Sequence, residues 1–518
     1  MVFGVSRYFK IMYAVYGNAK VRRVAAFCFA ATAPVALLAA SELPGFPGAE
    51  GFGKFASGGR GGSVYHVTNL NDTGPGSFRD AVSTANRMVV FDVGGIINIG
   101  DRIVIKKNVT VAGQTAPGGG ITVYGNGIAL NGDSGNDIIR HIRFRMGKNG
   151  DTKKDALAVS AGQSYLLDHV SISWGIDGTV DVNGTGIDNL TMQNCIVSQG
   201  INIINHSTGG LMQSGKWSLL RCLYIDNKTR NPKARGTHEC VNSVLYNWAE
   251  HGYIMGDTDG RSECNLIGNY FVYGPSSNSG SHITNTTVAF NVYAKDNWVD
   301  DNKNGRLDGR LLTDYKTATV VGTPFAHPGV DSLLSAADAL NRILEDVGAS
   351  RERDAVDRLL IDELRSFGTK GKIITTEDDN GIPGNVGTVA NGTPPADADK
   401  DGMPDAWEEE HGLNPDAPDD AGGTELSKDG YTNIEMYVNE LAGDPVVFAD
   451  RVAVTGERRG PVAAERILRP NAASVAYYTI LGRLVYRGKQ RKASFPRGVS
   501  ILVEKNRPAG ATRKSVYW

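Results

Sequence analysis

Short alternations of apolar and polar residues recur along the central part of the chain. Each begins near a polar residue that would suit a bend, and successive bends are 21 to 28 residues apart. The bend positions are His141, His169, Asn194, Arg221, Asn242, Asn269 and Asn291. One such unit cannot bury its apolar face alone, whereas stacked units share a continuous core. The pattern therefore predicts a parallel β-helix in which aligned asparagines form a side-chain ladder.

A β-sandwich is the rival architecture for an all-β chain with many short strands. Its antiparallel hairpins favour tight two-residue turns between consecutive strands. Repeats of the length seen here fit coils better than hairpins.

Residues 332–367 break the strand pattern with apolar residues at helical spacing. Ala336, Leu340 and Ile343 recur in this way, and so do Val356 and Leu360. Two peripheral amphipathic helices are expected. A polar, Gly-rich linker follows over residues 376–396, and strand-like runs at 475–480 and 499–503 predict a small C-terminal β tail.

The chain start has the composition of a secretory signal. Lys20, Arg22 and Arg23 precede an apolar run that ends at Ala39 and Ala40. Such a segment is removed on export, so residues 1–40 are a predicted signal peptide. The protein is then secreted or held at the cell surface, without a transmembrane span after cleavage.

Charge is distributed unevenly along the 518 residues. Residues 1–40 carry +5 and residues 451–518 carry +12, so the total of −2 leaves −19 on the body between them. No nucleic-acid-binding motif accompanies the basic end, and nucleic acid is not an expected partner.

Four cysteines remain after the signal: Cys195, Cys222, Cys240 and Cys264. They form no Cys-x-x-Cys pair, which argues against a zinc site. Their simplest role is that of buried small apolar residues. A disulfide is compatible with export, but its pairing is not readable.

The most informative stretch is Arg230-Asn231-Pro232-Lys233-Ala234-Arg235, with Asp155, Asp177 and Asp181 upstream on neighbouring strand-like units. It resembles polysaccharide lyase family 1, the pectate lyases, whose signature is Arg-x-Pro-x-x-Arg. The resemblance extends from Phe46 to about Lys372. It implies a right-handed parallel β-helix solenoid that cleaves polygalacturonate, the acidic polymer of plant cell walls.

The resemblance also implies roles for these residues. Asp155, Asp177 and Asp181 would hold a catalytic Ca²⁺, which suits hard oxygen ligands. Arg230 would be the catalytic base and Arg235 would bind a substrate carboxylate through its guanidinium fork. A free guanidinium is protonated, so an alternative is that hydroxide removes the proton while Arg230 stabilises the enolate.

One departure from the family pattern concerns substrate contacts. Many members carry a Lys between the calcium strands and the arginine motif, and residues 206–212 contain none. Three other functions stay open: a pectin lyase acting on methylated polymer, a polygalacturonase, and a non-catalytic β-helical adhesin or glycan-binding protein. The retained aspartates argue against the pectin lyase. No acid and base pair suited to inverting hydrolysis stands out.

A second acidic run lies beyond the linker. Asp397, Asp399, Asp401, Asp405 and Glu408 fit the spacing of an EF-hand-type calcium loop around Gly402. We expect a structural Ca²⁺ here. Asp300, Asn302, Asn304 and Asp308 form a weaker copy that ends in Leu311.

The tail contains Leu481-Gly482-Arg483 and Pro496-Arg497-Gly498, which resemble the C-terminal sorting domains of type IX secretion. A small β-domain without a sorting role is the alternative. The predicted organisation is a signal peptide (1–40), a lyase domain (41–375), a linker with the Asp-rich segment (376–445) and a basic β tail (446–518). The expected state is a monomer.

Overall fold

The computed structural model describes residues 42–257, 260–285 and 289–449, together with four strands between residues 475 and 517. These residues fall into two compact units, one within residues 1–450 and the other within residues 451–518. The predicted signal peptide and the sorting-like residues 481–483 and 496–498 lie outside the described residues. Among the described helices, none has both the length and the apolar character that crossing a membrane requires.

Three sheets form the first unit, and the chain adds one strand to each sheet in turn as it coils. The eleven-stranded sheet contains Ser63–Val67, Arg87–Phe91, Val109–Ala112, Asp137–Arg140, Gln163–Asp168, Asp188–Gln193, Lys216–Leu220, Thr237–Val241, Ser262–Ile267, Phe290–Lys295 and Thr319–Val320. The eight-stranded sheet contains Ile103–Val104, Ile128–Leu130, Leu157–Val159, Val180–Val182, Leu211–Met212, Lys233–Ala234, Tyr253–Met255 and Ile283–Asn285. The ten-stranded sheet contains Gly95–Asn98, Ile121–Tyr124, Arg143–Arg145, Ser171–Ser173, Ile196–Ser198, Leu223–Ile225, Val244–Tyr246, Tyr270–Val272, Trp298–Asp300 and Arg310–Leu311.

Neighbouring strands in these sheets pair in parallel, apart from the final pair of the ten-stranded sheet, where Val299 lies opposite Arg310. Residues that face the inside of the coils, such as Leu219, Leu223 and Met212, are fully buried in one continuous apolar core. The predicted parallel β-helix is confirmed, and the β-sandwich is excluded. All four cysteines are buried and free, as expected.

The bends have the left-handed backbone conformation that Asn tolerates best among non-Gly residues. Five predicted bend residues have φ between 52° and 54°: His141, His169, Asn194, Arg221 and Asn242. Apart from the ladder at the predicted bend residue Asn269, the amide ladders form at positions that the repeat did not mark. Asn136 donates to Asn108 at 2.9 Å and Asn108 donates to Asn86 at 2.8 Å, and Asn269 donates to Asn297 at 2.9 Å.

Helices lie on the outside of the coils. The α-helices are Phe78–Val82, Ala336–Asp346, Ala355–Arg365, Asp405–His411 and Asn433–Ala442, and the 3-10 turns are Gly113–Thr115, Ser350–Glu352, Glu377–Asn380 and Asp420–Gly422. Ala336–Asp346 and Ala355–Arg365 confirm the two peripheral helices. They bury the apolar stripe that the sequence indicated, including Leu340 and Leu360.

Residues 376–449 also pack on the β-helix. Glu377 is fully buried, and its carboxylate accepts hydrogen bonds from Tyr124 Oη and Lys148 N. A second apolar cluster joins Met403, Ile434 and Val438 to Met88, Val90 and Ala112 of the eleven-stranded sheet.

The second unit contains one four-stranded antiparallel sheet. Its strands are Val475–Tyr478, Leu484–Gly488, Ile501–Lys505 and Arg513–Tyr517.

Candidate active site

The outer face of the eight-stranded sheet carries the residues singled out from the sequence. Side chains alternate between the two faces of a strand, and Val180 and Val182 are buried in the core, so Asp181 between them faces outward. Asp181 lies opposite Ala158 on one side. Further along the same face, Lys233 lies opposite Leu211.

Carboxylate oxygens of Asp155 and Asp181 converge next to Gly178. A Cβ atom placed on Gly178 would lie 2.6 Å from Asp181 Oδ1 and 2.8 Å from Asp155 Oδ1. Asp181 Oδ1 accepts a hydrogen bond from Leu211 N at 2.8 Å. Asp155 Oδ1 is buried and has no hydrogen-bond partner among the residues that the structure describes. Only glycine leaves room for these two oxygens.

The charges at this pair favour a cation. Burial, together with the negative charges of Asp181 and Asp177, raises the pKa of Asp155 to about 8. Burial also raises the pKa of Asp181 to about 6, against the lowering effects of the Leu211 hydrogen bond and the positive charge of Arg230. A cation between two such carboxylates stabilises their ionised forms.

Asp177 lies at the rim of this pair. Its Oδ1 is 3.0 Å from His206 Nδ1, and its side chain is 45% exposed. The same imidazole nitrogen is 2.7 Å from the Asp177 carbonyl oxygen. Asp155, Asp177 and Asp181 do not come within 4.8 Å of one another as a set. The structure therefore brings two of the three predicted ligands together and places the third beside a histidine.

Arg230 lies at a bend that leads into the strand Lys233–Ala234. Its φ is 56° and the Asn231–Pro232 peptide bond is cis. The backbone here is anchored from both neighbouring coils, because Gly210 N donates to Arg230 O at 2.8 Å and Asn231 N donates to Gly252 O at 2.9 Å. The half-buried Arg230 side chain is close enough to Asp181 to lower the pKa of that carboxyl. Arg230 and the acidic pair therefore belong to one site.

Arg235 lies at the other end of the motif and is already engaged by the protein. Its Nε and Nη2 donate to Gln213 O at 3.3 and 3.2 Å, and its carbonyl accepts a hydrogen bond from Trp217 Nε1 at 3.1 Å. These contacts fix the guanidinium on the outer surface. The protein uses two of its five N–H donors here.

Two further residues of this face were not singled out from the sequence. Leu211 holds the position beside Asp181, and its half-buried side chain is apolar. Lys233 lies opposite it in register, with Nζ 2.8 Å from Asp257 Oδ1. Residues 206–212 contain no lysine, but Lys233 lies on the same face one strand later. The signal was present in the sequence as the alternation around Ala234.

The Asp-rich segment forms a separate carboxylate cluster. Asp397, Asp399 and Asp401 bring oxygen atoms within 4.8 Å of one another, and so do Asp401, Glu408 and Asp420. Asp420 was not singled out from the sequence. Asp405 instead accepts a hydrogen bond from Ala398 N at 2.7 Å.

In the weaker copy at residues 300–308, the polar side chains form hydrogen bonds with one another. Asn302 Nδ2 donates to Asp308 Oδ1 at 2.6 Å, and Asn304 Nδ2 donates to Asp308 Oδ2 at 3.0 Å. Among the described residues, this loop does not form a cluster of potential metal ligands.

Sequence comparison identifies close relatives over most of the chain. A protein of Aspergillus terreus described as probable pectate lyase C is 48% identical over 407 residues, which cover 77% of this chain and 94% of the relative. Its counterpart in Neosartorya fischeri is 48% identical over 409 residues, covering 78% of this chain and 95% of that one. No protein-family profile matches the sequence.

Solved structures are more distant. The cedar pollen allergen jun a 1 is 18% identical, with a TM-score of 0.42 over 58% of this chain and 92% of its own. A pectate lyase bound to a hexasaccharide is 13% identical, with a TM-score of 0.44 over 61% of this chain and all of its own.

The parallel β-helix, together with relatives that share nearly half of its residues, defines a carbohydrate-cleaving lyase. The chain belongs to the pectate lyase family. It is an enzyme, a carbon–oxygen lyase acting on polysaccharide, and neither the non-catalytic alternative nor the pectin lyase alternative is favoured by these relatives.

Proposed function

We propose that this pectate lyase is exported and cleaves polygalacturonate, de-esterified pectin, by calcium-assisted β-elimination. The observation that carries the proposal is the convergence of Asp155 and Asp181 on Gly178, beside Arg230. Two anionic groups and a guanidinium on one outer face suit an anionic polymer only if a cation offsets the carboxylates.

The residues present fit calcium. Asp155 Oδ1 is a buried carboxylate oxygen without a hydrogen-bond partner among the described residues, and Asp181 and Asp177 add hard oxygen donors of the kind that Ca²⁺ selects. We propose these three as its protein ligands. Bound there, Ca²⁺ would offset the charge of the substrate carboxylate and of the carbanion that forms at C-5.

The arginines have distinct proposed roles. Arg230, beside the acidic pair, either accepts the C-5 proton in its neutral form or, while protonated, stabilises the charge left when hydroxide removes that proton. Arg235, held by Gln213, presents its remaining donors to a substrate carboxylate. Loss of the proton and departure of the glycosidic oxygen at C-4 leave a double bond between C-4 and C-5.

A methylated polymer is the alternative substrate. The ester already acidifies C-5, so a pectin lyase needs no cation. Retention of Asp155, Asp177 and Asp181 favours the de-esterified polymer instead.

We also propose the organisation of the chain. Residues 1–40 are a signal peptide, residues 41–375 are the catalytic β-helix, residues 376–445 form the Asp-rich segment and residues 446–518 form a separate basic tail that could serve sorting. The mature protein is a secreted or cell-surface monomer. A chain that ends after residue 449 should keep its activity on polygalacturonate.

One assay tests the proposed reaction. Elimination creates a double bond conjugated to the carboxylate, so the product absorbs in the near ultraviolet. We expect this absorbance to rise on polygalacturonate, to stop with a chelator and to resume when calcium is restored. New reducing ends without the chromophore would identify hydrolysis, and turnover that survives chelation would remove the calcium step.

A further inference from the structure

A second cluster of carboxylates lies far from Arg230 in sequence, in the segment that packs on the first strands of the β-helix. Its members are Asp397, Asp399, Asp401, Glu408 and Asp420. Asp401 belongs to both groups of converging oxygens, so the five acids form one continuous cluster.

Five oxygen atoms of this cluster are buried and have no hydrogen-bond partner among the described residues. They are Asp399 Oδ2, Asp401 Oδ2, Asp420 Oδ1 and both carboxylate oxygens of Glu408. Glu408 is fully buried and Asp401 is 3% exposed. An unpartnered buried carboxylate is costly, and five such oxygens together need a common counter-charge.

The local backbone builds this arrangement. Asp401 Oδ1 accepts from Met403 N at 2.8 Å and Asp399 Oδ1 accepts from Asp401 N at 3.3 Å. One oxygen of each carboxylate therefore fixes the loop and the other is left without a donor. Gly402 has a φ of 93°, and a side chain there would meet Val64 Cγ1 at 2.8 Å.

We propose that Asp397, Asp399, Asp401, Glu408 and Asp420 bind one Ca²⁺ that fastens the C-terminal helical segment to the first coils of the β-helix. The ligands are all carboxylates, which suits calcium, and calcium accepts six to eight oxygen ligands. Glu408 offers both oxygens, as does the closing residue of an EF-hand loop. This site goes beyond the proposed function because it does not include Arg230 or its acidic pair.

The ligand set differs from the one the sequence spacing predicts. Asp405 is replaced by Asp420, since Asp405 Oδ1 accepts from Ala398 N at the start of the helix Asp405–His411. Asp420 begins a 3-10 turn, and its carbonyl accepts from Asn433 Nδ2 at 2.8 Å. The ion would therefore join the loop, the helix Asp405–His411 and the turn that supports the helix Asn433–Ala442.

The apolar contact next to the cluster explains why a bound ion would affect stability. Met403, directly after the loop, is fully buried among Val90, Ile434 and Val438. Repulsion within the cluster would push the loop apart and expose this apolar contact. A bound cation would instead hold the contact closed.

The test counts calcium ions in the full-length protein by titration calorimetry. The Asp155→Asn background removes a proposed ligand of the active site, so the ion that remains belongs to the second cluster. We expect one Ca²⁺ per chain in this background, and none when Glu408→Gln or Asp420→Asn is added. Calcium should raise the thermal unfolding midpoint of Asp155→Asn by about 3 °C or more, and either added change should abolish the rise.

Two matched controls remove one acid from the same segment. Asp416→Asn changes an exposed residue, and Asp405→Asn changes the residue that the spacing alone would choose. Both should keep the ion and the calcium-dependent shift in midpoint. Unchanged calcium binding in both Glu408→Gln and Asp420→Asn would overturn the proposal, and so would loss of the ion in Asp405→Asn alone. Failure of the active-site proposal would instead appear as undiminished turnover in Asp155→Asn.

Discussion

The carboxylates of Asp155 and Asp181 converge next to Gly178, each with one oxygen within 2.8 Å of the position that a Cβ at Gly178 would take. The glycine has no positive φ that would require it. Its role is spatial, because any Cβ would lie within 2.8 Å of both oxygens, in the gap that they border.

Gly178→Ala should therefore act on the metal site and hardly at all on the fold. We expect calcium affinity, measured as the calcium concentration for half-maximal turnover, to weaken by about 10- to 100-fold, as when the support of a metal ligand is lost. Turnover at saturating calcium should recover in part. Gly132→Ala is the control, since a Cβ at Gly132 has nothing within 4 Å. Equal calcium dependence in both variants would show that the gap is not a metal site.

Arg230 provides a direct test of the chemistry. Arg230→Lys keeps the charge but loses the planar fork, so kcat should fall by at least about 100-fold, the loss typical of removing one transition-state contact. KM should change much less. Arg261→Lys, at a side chain that is 73% exposed, should leave both constants unchanged. A fully active Arg230→Lys enzyme would place the chemistry elsewhere.

Lys233 should contribute to substrate binding. It faces outward opposite Leu211, two strands from Asp181, and its ammonium group is 2.8 Å from Asp257. Lys233→Gln should raise KM for polygalacturonate by about 10-fold, the value of one hydrogen bond to a charged group, with little change in kcat. The exposed Lys107→Gln is a matched control. If KM does not move, the polymer does not reach this register position.

Much of the fold could be predicted because the spacing of the repeats gives the length of each coil. Bends at His141, His169 and Asn194 follow from the repeat spacing, and each has the left-handed conformation expected of a corner. The ladder at Asn269 lies at a predicted bend, but another was missed because a coil has several corners. Asn86, Asn108 and Asn136 stack at a corner that the repeat did not mark.

Fixed spacing predicted the position of the site better than the contacts within it. Asp177 and Asp181 are four residues apart, yet Asp177 lies at the rim beside His206, and Asp181 instead converges with Asp155 from the preceding coil. Asp420 reaches Glu408 only through an intervening turn, and no spacing rule covers that approach. Asp405 fits the spacing, but its carboxylate accepts a hydrogen bond from the backbone N–H of Ala398 instead.

The last prediction concerns stability in acid. His238 is fully buried, stacked on Trp217 at 4.1 Å between ring centroids, with Nε2 2.9 Å from Tyr253 Oη. Burial lowers the pKa of His238 to about 3, below the unfolded value of about 6.5. Between these values the unfolded chain binds the extra proton, so the free energy of unfolding falls as the pH decreases.

Because of this histidine alone, the free energy of unfolding should be about 2 kcal/mol lower at pH 5 than at pH 7.5. Urea unfolding of the parent and of His238→Gln, in saturating calcium to hold the carboxylate clusters ionised, measures the difference. The variant is expected to be less stable at pH 7.5, because it loses the ring stack, but to lose less on acidification. His251→Gln is the control, since that histidine is exposed. Parallel pH profiles for parent and His238→Gln would mean that the buried imidazole is protonated as easily in the folded protein as in the unfolded chain.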